Sequence, residues 1–101
     1  MDLDQALTMS QKARQQMPNN ASVSDTLGWI YVKKNLSDDA VRMYKDLSAQ
    51  VPDSPTIHYH YGVALLQKGD KPSAKKELVT ALADKPSLGE EAKIKELLQK
   101  I

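Results

Sequence analysis

Apolar residues recur along this chain every three or four positions, in six stretches separated by polar or proline-bearing breaks. Leu3, Ala6, Leu7 and Ala13 form the first stripe, Val23, Leu27 and Tyr31 the second, and Ala40, Tyr44 and Leu47 the third. Ile57, Tyr61 and Leu65 follow, then Ala74, Leu78 and Ala81, and finally Ile94, Leu97, Leu98 and Ile101. That period sets each group on one face of an α-helix. Helices are expected over about 2–17, 22–35, 38–51, 55–68, 72–84 and 88–100, with ends uncertain by about 2–4 residues, and no segment reads as a strand.

The breaks carry turn chemistry: Lys34-Asn35-Leu36-Ser37, Pro52-Asp53-Ser54-Pro55 and Lys68-Gly69-Asp70. Ser54 is placed to cap a helix with Pro55 in its first turn, where a missing N–H costs nothing. Ser37 is expected to cap the third helix, whose first turn holds Asp38 and Asp39 at the positive end of the helix dipole. Ser87 with Glu90 has the spacing of a capping box.

The pattern also repeats. An offset of 34 superposes Pro18, Pro52 and Pro86, as well as Ala6, Ala40 and Ala74. It pairs Gly28 with Gly62, Val23 with Ile57, Leu27 with Tyr61, Tyr31 with Leu65 and Tyr44 with Leu78. Glycine at 28 and 62 permits a neighbouring helix to approach closely, and Ala40 and Ala74 are expected to supply the small surface opposite. One such unit leaves its apolar stripe uncovered, so neighbours must stack.

A two-helix unit of this length, with small residues at the crossing and a closing proline, resembles the tetratricopeptide repeat. The resemblance rests on Leu27, Gly28, Tyr31, Ala40, Tyr44 and Pro52 in one unit, and on Tyr61, Gly62, Leu65, Ala74, Leu78, Ala81 and Pro86 in the next. Ser24 and His58 depart from it where the family often has tryptophan, and Leu47 replaces a small alanine. It implies an all-α, right-handed superhelical array of antiparallel helix pairs within one domain. Residues 1–20 would be the second helix of a partial repeat, 21–54 and 55–88 full repeats, and 88–101 a capping helix backed by Lys93, Lys95, Glu96 and Lys100. On that division Leu3, Ala6 and Leu7 stay partly uncovered. The chain is then expected to be a piece of a longer repeat protein, or to pair its first helix with another molecule.

In this family the first helix of each repeat lines a concave groove that commonly takes an extended peptide or a partner helix. Trp29 lies two positions from both Leu27 and Tyr31, about 200° round the helix from each. It therefore leaves their core stripe and joins Ser22, Asp25, Thr26 and Lys33. The same construction separates Tyr59 from Ile57 and Tyr61 and groups it with Thr56, His60, Val63 and Gln67. The expected groove residues are Asp25, Trp29, Lys33, Tyr59, His60, Val63 and Gln67, with aromatic side chains that suit protein interfaces. The alternative for Trp29 is packing between adjacent first helices with only its edge exposed. The carboxylate clamp of lysines and asparagines found in some family members is not reproduced, since Lys33 is the only cation on this stripe. A partly apolar, aromatic or basic ligand fits better.

Charge and composition narrow the classes. Lys plus Arg is 14 against 13 for Asp plus Glu, which gives no field to hold nucleic acid. Lys68, Lys71, Lys75 and Lys76 are interrupted by Asp70, followed by Glu77, and read as a solvated face. No apolar run approaches the roughly 20 residues that cross a bilayer, and Met1-Asp2-Leu3-Asp4 lacks the start of a signal sequence. The absence of cysteine excludes disulfides, thiolate zinc sites and cysteine nucleophiles, and leaves the compartment open.

No catalytic constellation stands out. His58 and His60 are two apart and point away from each other, whereas a shared metal needs a spacing of three or four. His58 falls with Tyr61, Gly62 and Leu65 as a hydrogen-bonded packing residue, and His60 is left as an interface contact or pH-sensitive group. Asp38-Asp39 and Glu90-Glu91 sit in first turns, where acids favour the helix dipole. Gly28, Gly62, Gly69 and Gly89 form no phosphate loop. The sequence thus predicts no enzyme, cofactor or metal, but a scaffold with a protein or peptide partner, no nucleic acid and no membrane insertion. The alternative function is self-assembly, as a homodimer or by helix exchange through the N-terminal helix. Asp25–Tyr31 and His58–Gly62 also look like the C-terminal repeats of large bacterial tetratricopeptide proteins, some of them envelope lipoproteins, which would put a parent protein in the periplasm or at a membrane.

Overall fold

The six helices form where the apolar stripes lie. The structure is a computed structural model and describes residues 2–101. Its elements are α1 (Leu3–Gln16), α2 (Ala21–Lys33), α3 (Ser37–Gln50), α4 (Pro55–Lys68), α5 (Lys71–Ala83) and α6 (Leu88–Lys100). Five begin at a side-chain cap that accepts a backbone N–H, from Asp2, Asn20, Ser54, Asp70 and Ser87. Gly69, left-handed at φ 95°, ends α4 in a conformation that glycine adopts without a Cβ penalty.

Two end predictions need correction. Ser37 is the first helical residue of α3, and Leu36 holds the cap position without a side-chain bond. The preceding turn dictates this: Asn35 is left-handed at φ 60°, and Leu36 donates its N–H to the Tyr31 carbonyl at 2.9 Å. Asp38 and Asp39 do occupy the first turn. The capping box at α6 is half formed, with Ser87 Oγ accepting from Glu90 N–H at 3.3 Å. The Glu90 carboxylate instead takes the Thr56 hydroxyl, 3.0 Å from both its oxygens.

Packing follows the repeat. One core cluster joins Val32, Ala40, Tyr44, Leu47, Ile57 and Ala64, and a second joins Tyr59, Leu78, Ala81 and Ile94. A Cβ placed on Gly28 would stand 2.7 Å from Tyr44 Cζ, and one on Gly62 would stand 2.7 Å from Leu78 Cδ2, so at each crossing the facing side chain would have to shift to admit one. The surface opposite differs from expectation. Ala40 and Ala74 are fully buried, and the Ala74 carbonyl oxygen would stand 3.4 Å from a Cβ on Gly62, but the Tyr44 ring and the Leu78 side chain make the closest approaches.

The odd and even helices take different places. His60 of α4 reaches Asp25 of α2, and Gln67 of α4 reaches Val32 of α2, a constant separation of 35 that runs the two helices in the same direction. Thr56 of α4 meets Glu90 of α6 at a separation of 34 and extends the ladder. The helices α2, α4 and α6 therefore lie side by side, with α3 and α5 behind them. α1 packs on α2, tied by Arg14 Nε to Ser24 Oγ at 2.7 Å and by the Lys34–Asp4 ion pair, yet none of its described residues is buried. No helix among the described residues is long and apolar enough to cross a membrane.

Candidate functional site

A cleft of about 470 Å³ opens where α1 meets the ladder. Leu3 and Ala6 of α1 form one wall, and Asp25, Thr26, Trp29, Ile30 and Lys33 of α2 form the floor, with His60 of α4 at the far end. A hollow of about 540 Å³ on the outer face of α1, lined by Asp4, Gln5, Thr8 and Met9, is larger but gathers no aromatic or basic group.

The floor is stiffened by a polar relay. The Tyr44 hydroxyl lies 2.8 Å from Asp25 Oδ1 and 2.9 Å from the Asp25 carbonyl, so its single hydrogen is shared between two acceptors. His60 Nδ1 stands 2.7 Å from the same carboxylate oxygen. Because a carboxylate only accepts, the His60 N–H donates, which fixes the ring's orientation. Burial pushes the Tyr44 hydroxyl well above its ordinary pKa, and the Asp25 charge and hydrogen bond push it further, so Tyr44 remains a donor at every physiological pH.

On this relay rests an aromatic platform. Trp29 stacks on His60 with ring centroids 4.2 Å apart and planes at 28°. Tyr44 presents its edge to His60 at 5.9 Å. Trp29 is half-buried: its indole packs against the first core cluster and also lines the cleft.

Of the expected groove residues, the structure brings Asp25, Trp29, Lys33 and His60 to the cleft. Tyr59 does not line the cleft, although its ring lies 6.4 Å from that of Trp29 and 5.3 Å from that of His60. It is 8% exposed and packs with Leu78, Ala81 and Ile94, because α6 covers the face of α4 that the sequence left open. Its phenol is raised above the ordinary value by burial, then by Glu90 and Glu96. Val63 is a half-buried link between the two core clusters. Gln67 is a strut, donating to the Val32 carbonyl at 2.8 Å and to Asn35 Oδ1 at 3.0 Å. Leu3, Ala6 and Ile30 were missed as cleft residues; the position of Ile30 between Thr26 and Lys33 on one helix face was a usable signal.

His58 stands apart from the cleft. Its Nδ1 is 2.8 Å from Glu77 Oε1 and its Nε2 is 2.7 Å from the Pro52 carbonyl, with Asp84 Oδ2 at 3.9 Å. Burial alone would lower its pKa, but the Pro52 carbonyl, the Glu77 carboxylate and Asp84 together raise it above the ordinary value. Both ring nitrogens face acceptors, so the imidazolium form makes both bonds. Among the described residues no three His, Asp or Glu side chains converge as metal ligands.

The family model of the tetratricopeptide repeat matches this sequence over residues 2–58 and again over 37–101. Repeats of this kind are generally protein–protein interaction modules on a non-catalytic fold. A search of curated proteins finds no match.

Proposed function

The chain belongs to the tetratricopeptide repeat family, and from that membership we propose that it is a non-enzymatic scaffold module whose cleft between α1 and the helix ladder holds a segment of another protein. The Trp29–His60 stack beside the 470 Å³ cleft carries this reading. A half-buried indole held rigidly offers large apolar area at little conformational cost, which is the character of an interface anchor. Asp25 and His60 hold each other and Tyr44 in place, an arrangement that keeps a binding surface in one shape. Lys33 adds one cation at the rim.

The chain has no cysteine, so single cysteines give a clean test. Thr26→Cys in the cleft and Val79→Cys on α5, each bearing a photo-cross-linker, are compared in the parent cell extract. The partner captured from Thr26→Cys and absent from Val79→Cys is then purified and titrated. Trp29→Ala should weaken its binding at least tenfold, as loss of an interface anchor does. Equal capture at both positions, or unchanged affinity with Trp29→Ala, would overturn the reading.

A second reading, self-association through α1, is favoured by one observation: Leu3 and Met9 on the helix and Met17 at its C-cap are 39%, 60% and 45% exposed, and the helix buries none of its described residues. Light scattering across a wide concentration range tests it. A dimer abolished by Met9→Lys supports it, and a monomer throughout rejects it.

A further inference from the structure

The outer face of α5 is more basic than the order of charges along the chain suggests. Asp70 and Glu77, which break up the lysines in the sequence, are both engaged elsewhere. Asp70 caps the helix and accepts the Ser73 N–H at 3.2 Å. Glu77 is drawn onto His58 at 2.8 Å with its side chain 17% exposed, and Asp84 at the C-cap stands 3.9 Å from the same ring. Lys71, Lys75 and Lys76 are exposed and join no ion pair among the described residues.

Helical geometry orders this face. Pro72, Val79 and Ala83 fall within about 40° of one another and form its midline, with Lys75 about 40° to one side of Val79 and Lys76 about 60° to the other. All five are exposed, Val79 to 50%. An apolar line bracketed by lysines suits a helix lying on an anionic bilayer surface: the midline enters the headgroup boundary, and the lysine stems reach past it to the phosphates. α5 carries no aromatic side chain on which a base could stack and no arginine fork to grip a carboxylate.

The exposure of this face does not depend on an end of the chain. α3 holds the same place one unit earlier, and Asp38, Arg42, Lys45 and Ala49, the counterparts of Pro72, Lys76, Val79 and Ala83, stay exposed although α4 and α5 follow. There the face is mixed in charge, with Arg42 paired to Asp39. On α5 it is cationic around an apolar line.

We infer that the outer face of α5 docks on an anionic phospholipid surface, with Val79 at the centre of the contact and Lys71, Lys75 and Lys76 on the headgroup phosphates. The contact shares no residue with the cleft and is independent of the groove reading. It is adsorption to the surface, without a spanning helix.

The full chain is mixed with vesicles of phosphatidylcholine alone and of phosphatidylcholine and phosphatidylglycerol in equal parts, and the bound fraction is read by sedimentation. Binding is expected to the anionic vesicles alone. Raising sodium chloride from about 0.1 M to about 1 M, which shortens the screening length from about 10 Å to about 3 Å, should release the chain. Lys76→Gln should lower the partition coefficient about fivefold, the effect of one basic residue at an anionic leaflet, and adding Lys75→Gln should lower it about fivefold again. Val79→Ser should lower it as well, whereas Lys12→Gln, which removes the same charge from α1, should leave it unchanged. All four positions are exposed, and circular dichroism checks that each variant keeps its helices. Equal losses for Lys76→Gln and Lys12→Gln, indifference to Val79→Ser, or equal binding to phosphatidylcholine alone would overturn the inference. So would a chain that binds neither vesicle, and if it then binds a polyglutamate peptide or a single-stranded oligonucleotide through Lys75 and Lys76, the face belongs to that class of partner.

Discussion

The α2/α3 pair and the α4/α5 pair cross at equivalent glycines and close the crossing with different chemistry. Gly28 meets the ring of Tyr44, whose hydroxyl is held by Asp25, whereas Gly62 meets the branched end of Leu78. The position before each glycine stripe differs too: Ser24 accepts from Arg14, while His58 spans Glu77 and the Pro52 carbonyl. The geometry of the crossing is thus indifferent to polarity. The polar version has a second consequence, because the Tyr44 hydroxyl orients Asp25, Asp25 orients His60, and His60 supports Trp29. The pair closed by leucine has no such relay, and its surface carries no equivalent platform.

The largest expected effect falls on the apolar pair. Leu78 is fully buried, and Leu78→Ala should cost about 2–5 kcal/mol in urea denaturation, the range for a cavity in a core. Cleft binding should be little altered in the fraction that remains folded. A loss of cleft affinity equal to that of Trp29→Ala would show that the two pairs are not separable.

Adding a methyl at each glycine sharpens the comparison. In a helix interior Gly→Ala gains about 1 kcal/mol of propensity, while overpacking costs about 1–3 kcal/mol. Leu78 is held by packing alone, with no polar tether, so it should yield more readily and Gly62→Ala should lose about 0–1 kcal/mol net. The Tyr44 ring is anchored at its hydroxyl, so Gly28→Ala should lose about 1–2 kcal/mol net. Equal costs at the two sites would mean that the anchor does not stiffen the ring.

Tyr44→Phe removes the anchor and keeps the ring. It should cost about 1 kcal/mol of stability, and Trp29 fluorescence should change because Asp25, which holds His60, loses the donor that orients it. In a double-mutant cycle, Gly28→Ala with Tyr44→Phe should cost less than the sum of the two, since an untethered ring can move aside. Strict additivity would place the ring's rigidity elsewhere.

Helix existence, the 34-residue register and the close approach at Gly28 and Gly62 were legible because each depends on spacing along one chain segment. The 200° separation of Trp29 from Leu27 and Tyr31 was legible for the same reason. Tyr59 was misplaced by the same construction. Periodicity assigns a side chain to a face but not a neighbour to that face, and α6 is the neighbour that buries it. The Tyr44–Asp25–His60 relay was invisible because its members lie 19 and 35 residues apart, and each read singly as core or groove. The Ser37 cap failed on a turn whose left-handed Asn35 no local rule singled out.

The smallest expected effect, and the one that separates the pairs by pH, belongs to His58. Its folded pKa is raised above the ordinary 6.5, so the protonated ring is the form the fold prefers. The stabilisation is therefore fully present below the unfolded-state value and fades as pH rises through the folded one. Melting temperature measured from pH 5.5 to 8.5, above the ordinary carboxylate range, should fall with pH in the wild-type chain. His58→Ser, which copies Ser24 of the other pair, should flatten that dependence while leaving His60 in place. The difference between the two curves isolates His58, and it should be smaller than any of the losses above because the ring keeps its Nε2 bond to the Pro52 carbonyl when the Nδ1 proton leaves. A wild-type curve that rises across this range, or a His58→Ser curve parallel to it, would mean that Glu77 and Asp84 do not hold the imidazolium.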